Sequence, residues 1–191
     1  MEKIKIGIIL GTTRPGRFSD KPGKWLLEEV NKMDSAQAEL LDLREYSMHW
    51  FDEVAPPMNL EGKYASEIGK KWADKVGEFD AYIIVAAEYN HGYPAVLKNA
   101  LDYAYSEWNK KPVSFVSYGY ADGVRSVEQL RQVVIQLDMV PVSSAIAIPE
   151  FWTRTDEQGN FKADGVAEKL PHFIEQLLWW AKATKTAREA K

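Results

Sequence analysis

Along the chain, hydrophobic positions fall into two alternating rhythms. Residues 3–10 (KIKIGIIL) are β-branched and apolar and predict a buried strand. After a break at 11–19, Leu26, Val30 and Met33 recur at i, i+4 and i+7 and predict a helix. A short second strand is predicted at 38–43. It is followed by an irregular aromatic stretch, 46–58, closed by Pro56-Pro57. Tyr64, Ile68, Trp72 and Val76 recur every four residues and mark a second helix. The clearest strand is 81–87 (AYIIVAA), apolar throughout, as a strand covered on both faces should be.

Pro94 suits the first turn of a third helix, where its missing N–H costs nothing, and the pattern continues through Leu97, Ala100, Leu101 and Ala104. Residues 113–117 predict a fourth strand and 142–148 a fifth. Between them, Val127, Leu130, Val134 and Leu137 form one face of a fourth helix. Leu170, Ile174, Leu177 and Ala181 signal a last helix, with Pro171 in its first turn or at a kink. The charged stretch 182–191 is expected to fray. Five strand–helix alternations with short connections predict an α/β fold, a doubly wound five-stranded parallel sheet with helices on both faces. No repeat, low-complexity segment or linker interrupts the pattern, so residues 1–191 read as a single domain.

Composition narrows the chemistry. A chain of 191 residues, 46% of them hydrophobic, can bury one sizeable core. The formal net charge of −4 is mixed along the chain, and without a basic block no nucleic-acid partner is expected. The apolar runs are far too short to span a bilayer, so no membrane partner is expected. The start of the chain lacks the plan of a secretory signal, and a cytoplasmic protein is the default expectation. The absence of cysteine excludes disulfides, thiolate nucleophiles and iron–sulfur ligation by the protein itself. His49, His91 and His172 have no metal-binding spacing, so no metal site is expected. Redox chemistry in such a chain has to be carried by an organic cofactor.

In a parallel sheet of this kind, ligands bind at the carboxyl ends of the strands where the strand order reverses. Three loops fall there. The first, 11–19, offers the hydroxyls of Thr12, Thr13 and Ser19 and the guanidinium groups of Arg14 and Arg17, just before a helix N-terminus. That combination suits a phosphate dianion. A polar turn whose arginines face solvent or pair with Asp20 or Glu28 fits the same residues. The spacing matches neither GxGxxG nor GxxxxGK[ST], which disfavours a Rossmann dinucleotide site or a P-loop.

The second loop, 88–94, presents Glu88, Tyr89, Asn90 and Gly92 after the most buried strand. Gly92 would permit close approach or a positive φ there, and His91 stays unassigned. A plain turn with Tyr89 and Tyr93 packed on neighbours is the alternative. The third loop, 117–125, supplies Tyr118, Gly119 and Gly123, glycines that permit tight backbone approach. Asp122 reads equally as a helix cap or turn residue, and Arg125 as a surface cap.

Together the three segments resemble the NADPH-dependent FMN reductase family, a flavodoxin-like group that includes quinone, azo-dye and chromate reductases. The resemblance is carried by Gly11-Thr12-x-Arg14-x-x-Arg17, by Glu88-Tyr89-Asn90-x-Gly92-Tyr93-Pro94-x-x-Leu97-Lys98-Asn99-Ala100-x-Asp102, and by Ser117-Tyr118-Gly119-x-x-x-Gly123-x-Arg125. It implies a flavodoxin-like fold that binds FMN. It also implies that Thr12, Arg14, Arg17 and Ser19 surround the FMN phosphate. Glu88, Tyr89, Asn90 and Gly92 would then lie against the isoalloxazine ring, with the loop from Tyr118 and Gly119 to Gly123 closing the pocket. Two positions depart from the family pattern: Ala87 stands where a proline is frequent, and Asp122-Gly123 where paired glycines are frequent.

The activity implied is hydride transfer from NADPH or NADH through FMN to a quinone, azo compound, free flavin or similar small acceptor. No side chain is expected to serve as catalytic acid or base. The family also implies a homodimer or homotetramer. A flavodoxin-type electron carrier is the alternative; the modest net charge and the basic first loop weigh against it. Trp25, Trp72, Trp108, Trp179 and Trp180 fall in or beside helical patterns and are expected to pack in the core or an interface. Tyr46, Trp50, Phe51 and Phe151-Trp152 are candidates for a pocket wall or a dimer contact.

Overall fold

The computed structural model describes residues 2–60 and 62–190. Met1 and Lys191, which the single-domain reading spans, lie outside the described residues. The central strand β3 (Ala81–Ala87) shows why the chain folds as it does. Its odd residues, Ala81, Ile83, Val85 and Ala87, belong to one apolar cluster, and its even residues, Tyr82, Ile84 and Ala86, to another. A strand with no polar face has to be covered on both sides. The first cluster takes its helical cover from α1 (Asp20–Asn31) and α5 (Leu170–Glu189). The second takes it from α2 (Glu67–Gly77), α3 (Ala95–Asp102) and α4 (Val124–Gln136).

Five parallel strands make the sheet: β1 (Ile4–Leu10), β2 (Ala36–Asp42), β3, β4 (Pro112–Tyr118) and β5 (Val140–Ile148), in the order β2-β1-β3-β4-β5. After β1 the chain steps outward to β2, then crosses back over β1 to β3. The order therefore reverses between β1 and β3, and the loops leaving these two strands flank the crevice. The fold is the doubly wound α/β arrangement that the periodicity predicts.

Differences from the sequence pattern lie at element ends. Tyr64 precedes the α2 cap Ser66, whose side chain accepts from the Gly69 N–H, and Met33 lies past the end of α1. Pro94 is the residue before α3 rather than inside it, extended at ψ 140°, and α3 stops at Asp102, short of Ala104. Pro171 does sit in the first turn of α5. The charged end of the chain is helical as far as Glu189. Lys185 and Arg188 reach Asp80 at 3.2 and 3.4 Å, and Arg188 also donates to the Lys110 carbonyl at 2.7 Å. These tethers hold a segment that composition alone would leave loose; Lys191 lies outside the described residues.

Trp72 and Trp108 are fully buried, and each indole N–H donates to a carbonyl of α3, Ala100 at 2.7 Å and Leu101 at 3.2 Å. Trp25 packs at the edge of the other cluster. Trp179 and Trp180, by contrast, lie on the outer face of α5, 62% and 37% exposed. Buried Asn99 ties the irregular segment to α3: its amide donates to the His49 carbonyl at 2.7 Å and accepts from the Phe51 N–H at 2.8 Å. Tyr46 and Phe51 consequently pack on Trp72 and Tyr103, on the α2–α3 side of the sheet.

At the amino end of β4, Lys111 is buried. Its ammonium donates to the Gly77 carbonyl at the end of α2 at 3.0 Å. Burial, aided by the nearby charge of Arg188, pushes this group down to about 8 from its ordinary 10.5. The folded chain thus holds the proton less tightly than the unfolded chain, so stability rises with pH between these two values. Urea unfolding at a series of pH values is expected to show the difference between parent and Lys111→Met changing across that window. A difference independent of pH would contradict the assignment.

Candidate cofactor-binding site

A pocket of about 420 Å³ opens at the carboxyl end of the sheet, at the switch between β1 and β3. Residues 14–18, 87–89, 118–120 and 151–152 line it, so the three loops that the sequence singles out do converge. Gly11 permits the first loop to leave β1 tightly: its N–H donates to the Val85 carbonyl at 3.0 Å, and a Cβ there would lie 2.9 Å from that oxygen.

In this first loop the two arginines part company. Arg14 is exposed at the pocket, and its guanidinium makes no hydrogen bond or ion pair with any described residue. Arg17 does not match the expectation of a guanidinium offered to an anion; its side chain is 1% exposed and faces carboxylates. Nε donates to Asp20 at 2.8 Å, Nη2 to Asp42 at 2.7 Å, and Nη1 to the Thr12 carbonyl. Of the two alternatives the sequence left open, pairing with Asp20 describes Arg17. The consequence is electrostatic. Asp20 opens α1, where its charge would oppose an incoming anion, and Arg17 neutralises it. Burial alone would raise Asp42, but hydrogen bonds from Arg44 and Arg17 outweigh it and hold the carboxyl at about 2.

The other candidate donors of this loop are backbone and hydroxyl groups. The N–H groups of Thr13, Gly16, Phe18 and Ser19 make no backbone hydrogen bond among the described residues. Ser19 Oγ is fully buried and makes no hydrogen bond of acceptable geometry, nor does it cap α1. Its neighbour is the buried Tyr118 phenol, and it lies at a helix start. The Thr12 hydroxyl is taken: it shares a hydrogen bond of 2.6 Å with the Tyr89 hydroxyl, which ties the first loop to the second.

The second loop is a two-residue hairpin. Tyr89 and Gly92 exchange backbone hydrogen bonds of 2.8 and 3.1 Å, and the turn residues Asn90 and His91 have φ of 49° and 77°. Two consecutive left-handed residues make a type I′ turn. The positive φ expected of Gly92 thus falls on its two predecessors. Gly92 takes the other role expected of it, close approach: a Cβ there would lie 2.8 Å from Gln129 Oε1. The N–H groups of Asn90 and His91 carry no backbone hydrogen bond among the described residues.

The third loop closes over the second. A Cβ on Gly119 would lie 2.7 Å from Glu88 Cβ, and one on Gly123 2.6 Å from the Tyr118 nitrogen. Gly123, at φ 76°, precedes α4 as its cap, a place composition also offered to Asp122. Tyr118 is buried, and burial pushes its phenol up to about 12, so it stays neutral at physiological pH. It meets Phe18 and Phe151 at ring separations of 5.0 and 5.3 Å, and Trp152 extends this aromatic wall, 59% exposed. Phe18 is a wall residue that the loop pattern did not single out. Its place could have been found from the aromatic stretch after β5, which needs a partner.

Residues 4–153 match the family model for NADPH-dependent FMN reductases. The chain belongs to this family. Among curated relatives, an NAD(P)H-dependent FMN reductase of Schizosaccharomyces pombe is 34% identical over 76% of this chain and 74% of its own length. A 2-hydroxy-1,4-benzoquinone reductase from Burkholderia sp. is 25% identical over 94% of this chain and 97% of its own. Among solved structures, the flavoenzyme NAD(P)H:(acceptor) oxidoreductase FerB from Paracoccus denitrificans superposes with a TM-score of 0.71. It is 19% identical and the match covers 95% of this chain and 98% of that one. A flavodoxin from Pseudomonas aeruginosa gives a TM-score of 0.56 at 13% identity, over 91% and 99% of the two chains. These last two likenesses concern the fold.

Where this FMN reductase departs from its family's paired glycines, the backbone supplies a reason. Asp122 takes the left-handed conformation itself, at φ 55°. Aspartate tolerates that region better than most side chains do. The other departure, Ala87, ends β3 buried in the core and leaves the turn that follows intact.

Proposed function

We propose that the protein is an NAD(P)H-dependent FMN reductase that passes reducing equivalents from nicotinamide to a small acceptor such as a quinone, azo compound or free flavin. The observation that carries the reading is the pocket at the β1–β3 switch. It combines an arginine unpaired among the described residues, unused backbone donors and an aromatic wall. These features fit FMN, with its phosphate at one end and its flat heteroaromatic ring at the other. Bound FMN supplies the redox chemistry, and the protein contributes binding and electrostatics.

Arg14 and the N–H groups of Thr13, Gly16 and Phe18 would hold the phosphate, with Ser19 Oγ as a further donor. Thr12 would act through Tyr89 and Arg17 through Asp20, each fixing the loop rather than meeting the anion. Donors of the hairpin, at Asn90 and His91, would face the ring edge, beside Tyr89 and the Glu88 backbone. The Tyr118–Gly123 loop closes this side, and Phe18, Phe151 and Trp152 keep water from it. Gly92 and Gly119 serve by their lack of a side chain.

The exposed Trp152 and Tyr120 beside the pocket support a homodimer or homotetramer as the working form. No helix among the described residues is long and apolar enough to cross a membrane. The cytoplasm, where reduced nicotinamide is at hand, is the setting this reading implies.

The test is the absorption spectrum of purified protein loaded with FMN, before and after addition of NADPH or NADH under nitrogen. The bound flavin is expected to bleach and to recover its colour on addition of a quinone. Protein that binds FMN but does not bleach with either nucleotide would be an electron carrier, and protein that binds no FMN would overturn the reading.

A further inference from the structure

Arg125 does not line the pocket, yet it connects the parts that do. From the first turn of α4 it reaches back to the end of β3. Its Nε donates to Glu88 Oε1 at 2.7 Å, and its Nη2 pairs with the same carboxylate. Nη1 meets Nδ1 of His91 at 3.1 Å. One helical turn further on, Gln129 Nε2 donates to the His91 carbonyl at 2.9 Å.

The carboxylate it holds is an uncommon one. The Glu88 side chain is 4% exposed, the Gly119 backbone closes over it, and its second oxygen is buried without a partner among the described residues. A buried carboxylate deprived of its cation is strongly unfavourable. Two and three residues beyond it come Asn90 and His91, both non-glycine residues in the left-handed region, a conformation that persists only when the surroundings impose it. The hairpin is therefore held by two side chains of α4 on one flank and by the Tyr89–Thr12 hydrogen bond on the other.

We propose that Arg125 is a positioning residue of the flavin site: by neutralising buried Glu88 and gripping His91, it fixes the 89–92 hairpin in the pose that meets the ring. The inference rests on the FMN reading above. Arg125 acts on the ring end of the pocket, so its loss should weaken FMN and riboflavin alike. A direct phosphate ligand would distinguish the two.

The experiment is a fluorescence titration of FMN and of riboflavin into the parent, Arg125→Ala, Arg125→Lys, Glu88→Gln and the Arg125→Ala/Glu88→Gln double variant. Thermal unfolding of each is recorded alongside. Arg125→Ala is expected to weaken both flavins by the same factor, roughly 10- to 100-fold, the range for a charged hydrogen-bonding partner. Adding Glu88→Gln should recover much of that loss, because the double variant no longer buries an unpaired charge. Arg125→Lys keeps the charge without the fork and should fall between. The unfolding temperatures separate positioning from mere stability, because a flavin loss in a variant that is fully folded at the titration temperature cannot come from unfolding.

If Arg125→Ala does not fold, the double variant and Arg125→Lys carry the same comparison. Flavin affinities equal to the parent's, loss of FMN with riboflavin retained, or a double variant no better than Arg125→Ala would each overturn the proposal. A parent that binds neither flavin would overturn the FMN reading, and this inference with it.

Discussion

Arg14→Ala is expected to weaken FMN binding by about 1.5–3 kcal/mol while leaving riboflavin affinity unchanged, because the lost contact is a hydrogen bond to a charged group. The expectation follows from how the two loop arginines are used. Arg14 is exposed at the pocket with no partner among the described residues, so none of these competes with a phosphate for it. An exposed cation is also screened by salt, so the FMN affinity of the parent should fall as ionic strength rises and that of Arg14→Ala should fall less. Titration of both flavins across a salt series checks both statements. Equal FMN affinity in parent and variant would remove the phosphate from this loop.

Arg17→Ala is expected to act on the folded state itself, lowering the stability of the flavin-free protein by about 3 kcal/mol. Removing one partner from a buried ion pair costs about 3–5 kcal/mol. The lower end applies because Asp42 keeps Arg44 at 2.7 Å when Arg17 is gone, whereas Asp20 retains only Arg44 at 3.7 Å. The acid limb supplies a second reading. Asp42 is held at about 2 in the folded chain, below its ordinary 3.8, so it contributes stability above that ordinary value. That contribution is lost as pH falls from about 4 toward 2, and less is lost when Arg17 is absent. Urea unfolding of flavin-free parent and variant at neutral and acid pH measures this. A variant as stable as the parent would show that the Arg17 pairs carry no weight in the fold.

The two arginines also show where reading the sequence stopped. Both stand in one loop of one motif, and nothing in their spacing says which faces a ligand and which a carboxylate. Asp20 is three residues from Arg17, so that pairing was open to view as an alternative. Asp42 is 25 residues away at the end of another strand, and only the parallel pairing of β1 with β2 brings it near. Glu88 and Arg125 are separated by 37 residues and meet for a similar reason, since β3 and β4 are neighbours and α4 begins just after β4.

The hairpin at 89–92 shows the reverse case. A glycine in a turn is suited to close approach or to positive φ; Gly92 takes the close approach, and Asn90 and His91 carry the positive φ. Asparagine is known to tolerate that region, so half of the turn was legible. His91 is contacted by Arg125 and Gln129 of α4, which no local rule reports.

By itself, the sequence determined the elements and the class of fold, because β1 and β3 are largely apolar runs, β2 and β5 alternate, and the helices carry apolar stripes. Those periods depend on the local backbone alone. It also determined that any redox chemistry belongs to a bound cofactor, since there is no cysteine. Only the tertiary structure decided which charges on the loops are already neutralised and which remain for a ligand. Ion pairs and hydrogen bonds depend on distances of a few ångströms between residues far apart in the chain. Strand order sets those distances, and the pattern of any single segment does not record it.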